Sequence, residues 1–206
     1  DDDSYIFTRR IVEQIGNSDY QEAIVLIRST ERVQNMVHTA GINAVIFGSP
    51  YLGVKVPSLD SDQAKIGRLI TQQLIDQGCK QMILLQRNSW RRGDNILFNS
   101  VSQTLGDAGF PMGTLIIHNK PSSRHIVEAE LMQELSAGVL QKTGIITRGN
   151  DLAEQVMDIL ADNDLINHEN IEVGSCGHAQ VNRARAYLQV APKIDYRKQV
   201  VNLITM

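Results

Sequence analysis

The residues best suited to bind a ligand come in two short loops, each placed directly after an apolar run. The first loop spans residues 87–95 and contains Trp90, Arg92 and Asp94, and the second contains Asn150. An aromatic face beside guanidinium and amide groups suits a polar ring such as a sugar or a base. Because open parallel sheets bind ligands at the carboxyl ends of their strands, both loops predict ligand contacts if the apolar runs are strands. A solvated loop explains the first cluster equally well, and a helix cap explains Asn150.

The sequence lacks the motifs of several large enzyme classes. It holds no Gly-x-Ser-x-Gly, no Walker-type phosphate loop, no Gly-x-Gly-x-x-Gly and no His-Glu-x-x-His. Cys176 and His178 are two positions apart on a loop, a spacing that favours loop packing over a thiolate and its base. Asp60 and Asp62 flank a predicted helix start, where stabilisation of the helix terminus is favoured over acid–base catalysis. The five histidines lie on different predicted elements, which argues against a metal site. Because the enzyme motifs above are absent, we also expect no cofactor and no enzymatic activity.

The length, composition and net charge of the chain limit the classes of protein to which it can belong. The chain has 206 residues, 42% of them apolar and 5% aromatic, which suits one or two ordinary globular domains. Its net charge of −3 offers no positive field to hold a nucleic acid. No apolar run reaches the roughly 18 residues of a membrane span, and the acidic residues 1–3 do not resemble a signal peptide. We therefore expect a soluble, cytoplasmic fragment of a longer protein. Two distant cysteines argue against a zinc ribbon or disulfide framework, though a single bridge stays open.

Six apolar runs of four or five residues, each bounded by turn residues, predict buried strands. They are Ala23–Ile27, Ala44–Phe47, Met82–Leu85, Thr114–Ile117, Gly144–Thr147 and Ile171–Gly174. The stretches between them carry apolar residues three and four positions apart, which predicts helices. This alternation is typical of βα units that build a parallel sheet covered on both faces.

Caps and turns mark the ends of these elements. Ser29 and Ser61 are predicted helix N-caps, and residues 50–57, with a proline at each end, predict a non-helical crossing between lobes. Before residue 43 the sequence predicts one strand, a helix over residues 5–15 and the helix that Ser29 would cap, which is too little to close a lobe, so we expect the front of the first lobe to be missing. Glycines follow four of the helical patterns where a positive φ would end a helix, namely Gly41, Gly78, Gly109 and Gly138.

Five segments, taken together in their order and spacing, carry a resemblance that no single motif supports. They are residues 56–64, 67–85, 144–153, 170–175 and 192–197. In this arrangement they resemble the lactose-repressor/galactose-repressor type of transcription regulator, specifically its periplasmic-binding-protein-like effector domain. The resemblance covers about residues 20–206.

The resemblance implies an α/β architecture, the two-lobed type I periplasmic-binding-protein-like fold, with parallel sheets flanked by helices. Residues 1–58 would form part of the N-terminal lobe and residues 59–190 the C-terminal lobe. Residues 191–206 would be the crossover and final helix returning to the N-terminal lobe. A small polar effector, expected to be sugar-like, would bind in the cleft between the lobes. A homodimer is implied, and operator DNA would be bound only through a headpiece that this sequence lacks.

The resemblance also bears on individual residues. Asn150 matches the family's cleft asparagine, whereas the family's aspartate after the next strand falls on Cys176, so an acceptor for paired sugar hydroxyls is lost. The family's arginine falls near Leu97, and Arg92 and Asp94 are the residues that would substitute for it. The expected ligand-binding set is Ser49, Asp60, Trp90, Arg92, Asp94, Asn150 and Cys176.

The sequence thus predicts the effector-sensing domain of a bacterial transcription regulator. A free periplasmic sugar-binding protein of a transporter shares the implied fold and is the main alternative, and an α/β hydrolase or transferase is a third. A sugar, a nucleoside, another polyol or no effector at all stay open as the occupant of the cleft.

Overall fold

The computed structural model describes residues 2–16, 23–87, 91–111, 115–120, 123–138, 141–166, 168–177, 187–190 and 201. The described residues divide into two compact units. Unit 1 draws on Asp1–Ser61 and Arg91–Asn95, and unit 2 draws on Asp62–Trp90 and Ile96–Pro192. The lobe boundaries expected from the sequence stay a prediction. The expected crossover and final helix over residues 191–206 lie outside the described residues, except for Val201.

Between residues 2 and 61, the described part of unit 1 forms a parallel three-stranded sheet with two helices. The strands are ordered β1-β2-β3. Leu26 and Ile46 pack with Val33 and Val37 of a helix in one buried cluster. The elements are α1 (Asp2–Gly16), β1 (Ile24–Ile27), α2 (Glu31–Thr39), β2 (Ala44–Phe47) and β3 (Ser58–Leu59).

Unit 2 is built on a parallel five-stranded sheet with helices on both faces. Its strands are ordered β5-β4-β6-β7-β8, so the chain reverses direction across the sheet after β5. The elements are α3 (Gln63–Asp76), β4 (Gln81–Arg87), α4 (Arg92–Asp107, its first residues grouped with unit 1), β5 (Leu115–Lys120), α5 (Arg124–Gly138), β6 (Thr143–Thr147), α6 (Asn150–Asp162), β7 (Ile171–Ser175) and β8 (Leu188–Gln189).

Two buried clusters cover the two faces of this sheet. On one face, Leu84 and Ile146 pack with residues of α3 and α4, and we name this cluster the α3/α4 core. On the other face, Ile83 and Ile145 pack with residues of α5 and α6, which we name the α5/α6 core. Adjacent residues of a strand point to opposite faces, so apolar runs without alternation are what a sheet covered on both sides requires.

One glycine sets how closely two of these helices approach. A Cβ atom on Gly67 of α3 would lie 3.0 Å from the carbonyl oxygen of Leu97 and 3.1 Å from Cβ of Ser100. The Ser100 hydroxyl donates to the carbonyl oxygen of Ala64 at 2.6 Å. The helix–helix contact therefore depends on a missing side chain and a hydrogen bond to the backbone.

All six predicted strands are present, with ends that differ by up to three residues. β3 and β8, of two residues each, were not predicted. The N-cap predictions are wrong by one residue, because the capping oxygen belongs to Thr30 instead of Ser29 and to Asp62 instead of Ser61. Gly41, Gly78 and Gly109 have positive φ as predicted, and Gly138 is the last residue of α5. Within the described part of the chain, the helices are all too short or too polar to cross a membrane.

Candidate ligand-binding site

In unit 1, a serine and a carboxylate meet beyond the carboxyl ends of two neighbouring strands. Ser49 follows β2 and Asp60 follows β3, and the Ser49 hydroxyl donates to Asp60 Oδ2. Asp60 Oδ1 also accepts from the backbone N–H of Ser61 at 2.7 Å. The carboxylate is thereby oriented by two donors, and the parallel pairing of β2 with β3 explains why two residues 11 positions apart meet.

The side chain of Gln34 forms hydrogen bonds with the loops at the same edge of unit 1. Gln34 lies on α2, and although it is polar, it is only 1% exposed. Its Nε2 atom donates to Ser29 Oγ at 3.0 Å and to the Ser49 carbonyl at 3.4 Å, and its Oε1 atom accepts from the Tyr51 N–H at 2.9 Å. One buried amide therefore fixes the loops that follow both β1 and β2.

The start of α4 also belongs to unit 1 and carries two predicted site residues. Asp94 is 5% exposed, and its Oδ2 atom accepts from the Arg91 N–H at 3.0 Å, so an acidic side chain in the first turn of α4 satisfies the N–H of the residue that precedes the helix. Tyr51 lies near this turn. Burial raises the pKa of the Tyr51 phenol, and the charge of Arg91 and the backbone N–H of Arg92 act in the opposite direction. The phenol is therefore a neutral donor at physiological pH.

In unit 2, Asn150 is the first residue of α6 and lies at the carboxyl edge of the sheet. Its Oδ1 atom accepts from the hydroxyl of Ser175, the last residue of β7, at 2.8 Å. A Cβ atom on Gly177 would lie 2.6 Å from that Oδ1 atom and 2.7 Å from the Asn150 nitrogen, so the loop after β7 passes too close for any other residue. The Asn150 amide is thus fixed from two sides.

Asn150 does not act as the N-cap of α6. The N-cap position is Gly149, which offers no side-chain oxygen to the first turn. The helix-cap interpretation of Asn150 is therefore wrong, because the chain enters α6 one residue earlier than that interpretation requires. Its side chain is turned to the loop after β7, where it bonds Ser175.

Cys176 lies next to this pair but is buried in the α3/α4 core. Burial raises the pKa of its thiol to about 12, and the nearby positive charge of Arg148 acts against that rise. The thiol is therefore neutral at physiological pH. Both cysteines are free, so the chain has no disulfide.

The structure thus brings the predicted residues together in small groups. Ser49 forms a hydrogen bond with Asp60. Arg92 and Asp94 both lie in the first turn of α4. Asn150 accepts a hydrogen bond from Ser175, which precedes Cys176 in the chain. Trp90 lies outside the described residues. The role of each in ligand binding stays a prediction. Among the described residues there is no group of three or more His, Cys, Asp or Glu side chains that could hold a metal ion.

Two residues of these groups and one other buried polar residue of unit 2 were not expected from the sequence. Gln34, Ser175 and Gln86 were not proposed, although each is at most 2% exposed. A signal existed for Gln34, because it shares one helical face with Val33 and Val37. A signal also existed for Gln86, which extends the apolar run of β4 by one residue.

Comparison with known proteins rests on structure alone, since no family model and no curated sequence matches this chain. A PurR family transcriptional regulator from Vibrio parahaemolyticus matches 95% of this chain and 74% of its own, with 10% identity and a TM-score of 0.75. A LacI family transcriptional regulator from Bifidobacterium animalis matches 94% and 70%, with 14% identity and a TM-score of 0.75. The chain has the fold of these LacI-type regulators.

A third similar structure comes from Alkaliphilus metalliredigens. It is described as a periplasmic binding protein/LacI transcriptional regulator complexed with D-xylulofuranose, and it matches 89% of this chain and 68% of its own. Its identity is 13% and its TM-score 0.70. The prediction of a periplasmic-binding-protein-like α/β fold with parallel sheets flanked by helices is confirmed. The named neighbours are regulators and binding proteins, not enzymes.

Proposed function

We propose that this chain is the effector-sensing domain of a transcription regulator and binds a small polar, sugar-like ligand without catalysing a reaction. The observation that carries the proposal is the Asn150–Ser175 pair, because it presents a fixed amide at the carboxyl edge of a parallel sheet. Polar ligands bind at that edge in open α/β sheets. A structure of the same fold was determined with D-xylulofuranose, which supports a sugar or a close relative as the ligand class.

In this proposal the two units contribute different chemistry. Unit 2 offers the Asn150 amide, whose Nδ2 atom can donate to a ligand hydroxyl while Oδ1 holds Ser175. Unit 1 offers the carboxylate of Asp60, which is oriented by Ser49 and can accept from ligand hydroxyls. That one effector contacts both units stays a prediction. Signalling requires that the ligand bind one arrangement of the domain more tightly than another.

The test is titration calorimetry of the chain against neutral sugars and nucleosides. Asn150→Ala should weaken the best ligand by about 1–3 kcal/mol, the cost of losing a buried hydrogen bond. The matched control is Asn163→Ala at the far end of α6, where the side chain bonds the Ile159 carbonyl, and this variant should leave affinity unchanged. Equal affinity of parent and Asn150→Ala would remove Asn150 from the site, and no heat from any compound would refute sensing of these compounds.

The wider biological role follows from the same proposal. We propose that the regulator acts as a cytoplasmic homodimer and contacts operator DNA through a headpiece outside this sequence. The transporter alternative predicts a secretion signal in the reading frame upstream of residue 1, whereas the regulator predicts a helix-turn-helix there. Light scattering of the complete protein, with a mass of one subunit at micromolar concentration, would contradict the dimer.

A further inference from the structure

The strand β1 lies at the edge of its sheet and directs backbone groups away from it. The sheet of unit 1 is ordered β1-β2-β3, so among the described residues β1 has a neighbouring strand on one side only. The Ile24 N–H donates to the Asn43 carbonyl oxygen at 2.9 Å, so the backbone groups of Ile24 face β2. Successive residues of a strand direct these groups to opposite sides, so the N–H and C=O groups of Val25 and Ile27 point to the open edge.

The same two residues carry exposed apolar side chains. Val25 is 59% exposed and Ile27 is 67% exposed, and Ala23, which shares their face, is exposed as well. Proteins commonly protect an edge strand from pairing with another chain by placing a charged residue or a proline on it. Residues 23–27 contain neither. This edge is therefore open to the addition of a further strand.

Residues 23–27 are complementary to a second copy of themselves. In an antiparallel pairing centred on Val25, that residue faces Val25 of the second copy, and Ile27 faces Ala23. All three residues direct their backbone groups to the edge, so each facing pair can exchange two N–H···O bonds. Their side chains share one face of the sheet, which brings apolar groups side by side. A two-fold axis generates this arrangement, and two-fold dimers are the commonest homo-oligomers.

The charges on either side of this segment favour the same direction of pairing. The sequence has Glu22 before the segment and Arg28 after it. When two copies pair antiparallel, the start of one segment lies beside the end of the other, so residues of opposite charge approach each other. In a parallel pairing, residues of like charge would approach instead, which is unfavourable. The charge pattern therefore favours an antiparallel second copy.

We propose that the homodimer forms through the β1 edges of two copies, which pair antiparallel about a two-fold axis and join their three-stranded sheets into one continuous sheet. The pairing adds a strand beside β1 and does not cover the face of the sheet on which Val25 and Ile27 lie. This inference rests on the proposed function, because it names the surface through which the proposed regulator would form its homodimer.

The experiment uses position 25, because Val25 faces itself in this dimer. Light scattering of the parent chain should give the mass of two subunits. Val25→Lys and Val25→Glu each remove an apolar pair and place like charges opposite each other, so each should raise the dissociation constant by at least about tenfold. An equimolar mixture of the two variants should restore the mass of two subunits, because lysine then faces glutamate.

Leu52→Lys is the matched control. Leu52 is apolar and 81% exposed, and it lies in unit 1 outside β1, so this variant should keep the mass of the parent chain. Far-ultraviolet circular dichroism of each variant should match that of the parent chain, which separates loss of the dimer from unfolding.

Three results would overturn the inference in distinguishable ways. A parent chain with the mass of one subunit would exclude the β1 dimer, while the calorimetric test of ligand sensing would be unaffected. A dimer that persists in both Val25 variants would place the contact on another surface and leave the homodimer itself standing. Variants that dissociate singly and stay apart when mixed would show that position 25 does not face itself.

Discussion

In the part of the chain that the structure describes, the two sheets differ in how many of their faces are covered by a buried cluster. In unit 2, the α3/α4 core and the α5/α6 core bury both faces of a five-stranded sheet. In unit 1, the described residues form one cluster on one face of a three-stranded sheet. On the other face of β1, Val25 and Ile27 are 59% and 67% exposed. The same kind of apolar strand is therefore buried in one unit and open to solvent in the other.

This difference indicates where the stability of the chain resides. Parallel strands with apolar residues on both sides are stabilised by burial of both faces, at roughly 25 cal/mol per Å² of apolar surface. Among the described residues, unit 2 gains this stabilisation on both faces of its sheet and unit 1 gains it on one face. The carboxyl edge of unit 1 is held instead by the hydrogen bonds of Gln34, Ser49 and Asp60. Unit 2 should therefore resist denaturation more strongly, and unit 1 should depend more on polar contacts.

The largest expected effect is the loss of a core side chain from unit 2. Ile146 of β6 is fully buried in the α3/α4 core, so Ile146→Ala should lower the free energy of unfolding by about 2–5 kcal/mol. The matched variant Ile27→Ala, on the open face of unit 1, should change it by less than about 0.5 kcal/mol. Urea unfolding followed by circular dichroism measures both. Similar losses from the two variants would show that the open face of β1 is covered in solution.

The two cysteines make the stability of unit 2 depend on pH, because Cys79 and Cys176 both lie in that unit. Burial raises the pKa of the Cys79 thiol to about 11, with Glu172 adding to the rise. The folded state therefore holds this proton more tightly than the unfolded state does. The associated stability is fully present below about pH 9 and is lost as the pH rises through 11, an effect of about 3 kcal/mol at most.

Replacing Cys79 by Ala removes this titration. The free energy of unfolding of the variant should fall less between pH 9 and pH 11 than that of the parent protein. Ser136→Ala on the exposed side of α5 is the control, because its hydroxyl does not titrate in this range. If the pH dependence of the parent and of Cys79→Ala were the same, the thiol would be accessible to solvent and unit 2 less tightly closed.

A smaller effect is expected from the polar contacts of unit 1. Gln34→Ala removes the partner of the Tyr51 N–H and of Ser29 Oγ, and should cost about 1–3 kcal/mol. Hydrogen exchange should show faster exchange at the carboxyl ends of β1 and β2 than in the parent protein, with unit 2 unchanged. Gln72→Ala on the exposed face of α3 is the matched control. Unchanged exchange in β2 would mean that another contact fixes this edge.

Much of the architecture was predictable because both sheets follow simple patterns. The apolar run at residues 44–47 matches β2, and the run at residues 82–85 lies within β4. No polar residue interrupts the run at residues 82–85, because a parallel strand covered on both faces has no polar side. β3 and β8 could not be predicted. Ser58–Leu59 and Leu188–Gln189 become strands only by pairing with β2 and β7, and that pairing is set by tertiary structure.

The candidate site was less predictable, because its polar residues are selected by three-dimensional neighbours. Asn150 was found through its position after a strand, but its bond to Ser175 depends on the register of β6 with β7. Gln34 and Gln86 are of a residue type that is common on protein surfaces, and although each lies close to apolar residues in the sequence, its burial is set by tertiary packing. The caps at Thr30 and Asp62 were misplaced by one residue because serine precedes both, and either residue could cap.

The smallest expected effects come from two helix N-termini, that of α2 in unit 1 and that of α6 in unit 2. In unit 1, Thr30 Oγ1 accepts from the Val33 N–H at 3.3 Å, so Thr30→Ala should cost about 1 kcal/mol. In unit 2, α6 has Gly149 at its N-cap, in an extended conformation with open space for a Cβ atom. Gly149→Ser should therefore add a few tenths of a kcal/mol in thermal unfolding. If Gly149→Ser instead lowered the free energy of unfolding, the loop after β6 would need glycine for a reason other than capping. Unit 2 would then be less stable than it could be at the edge where Asn150 lies.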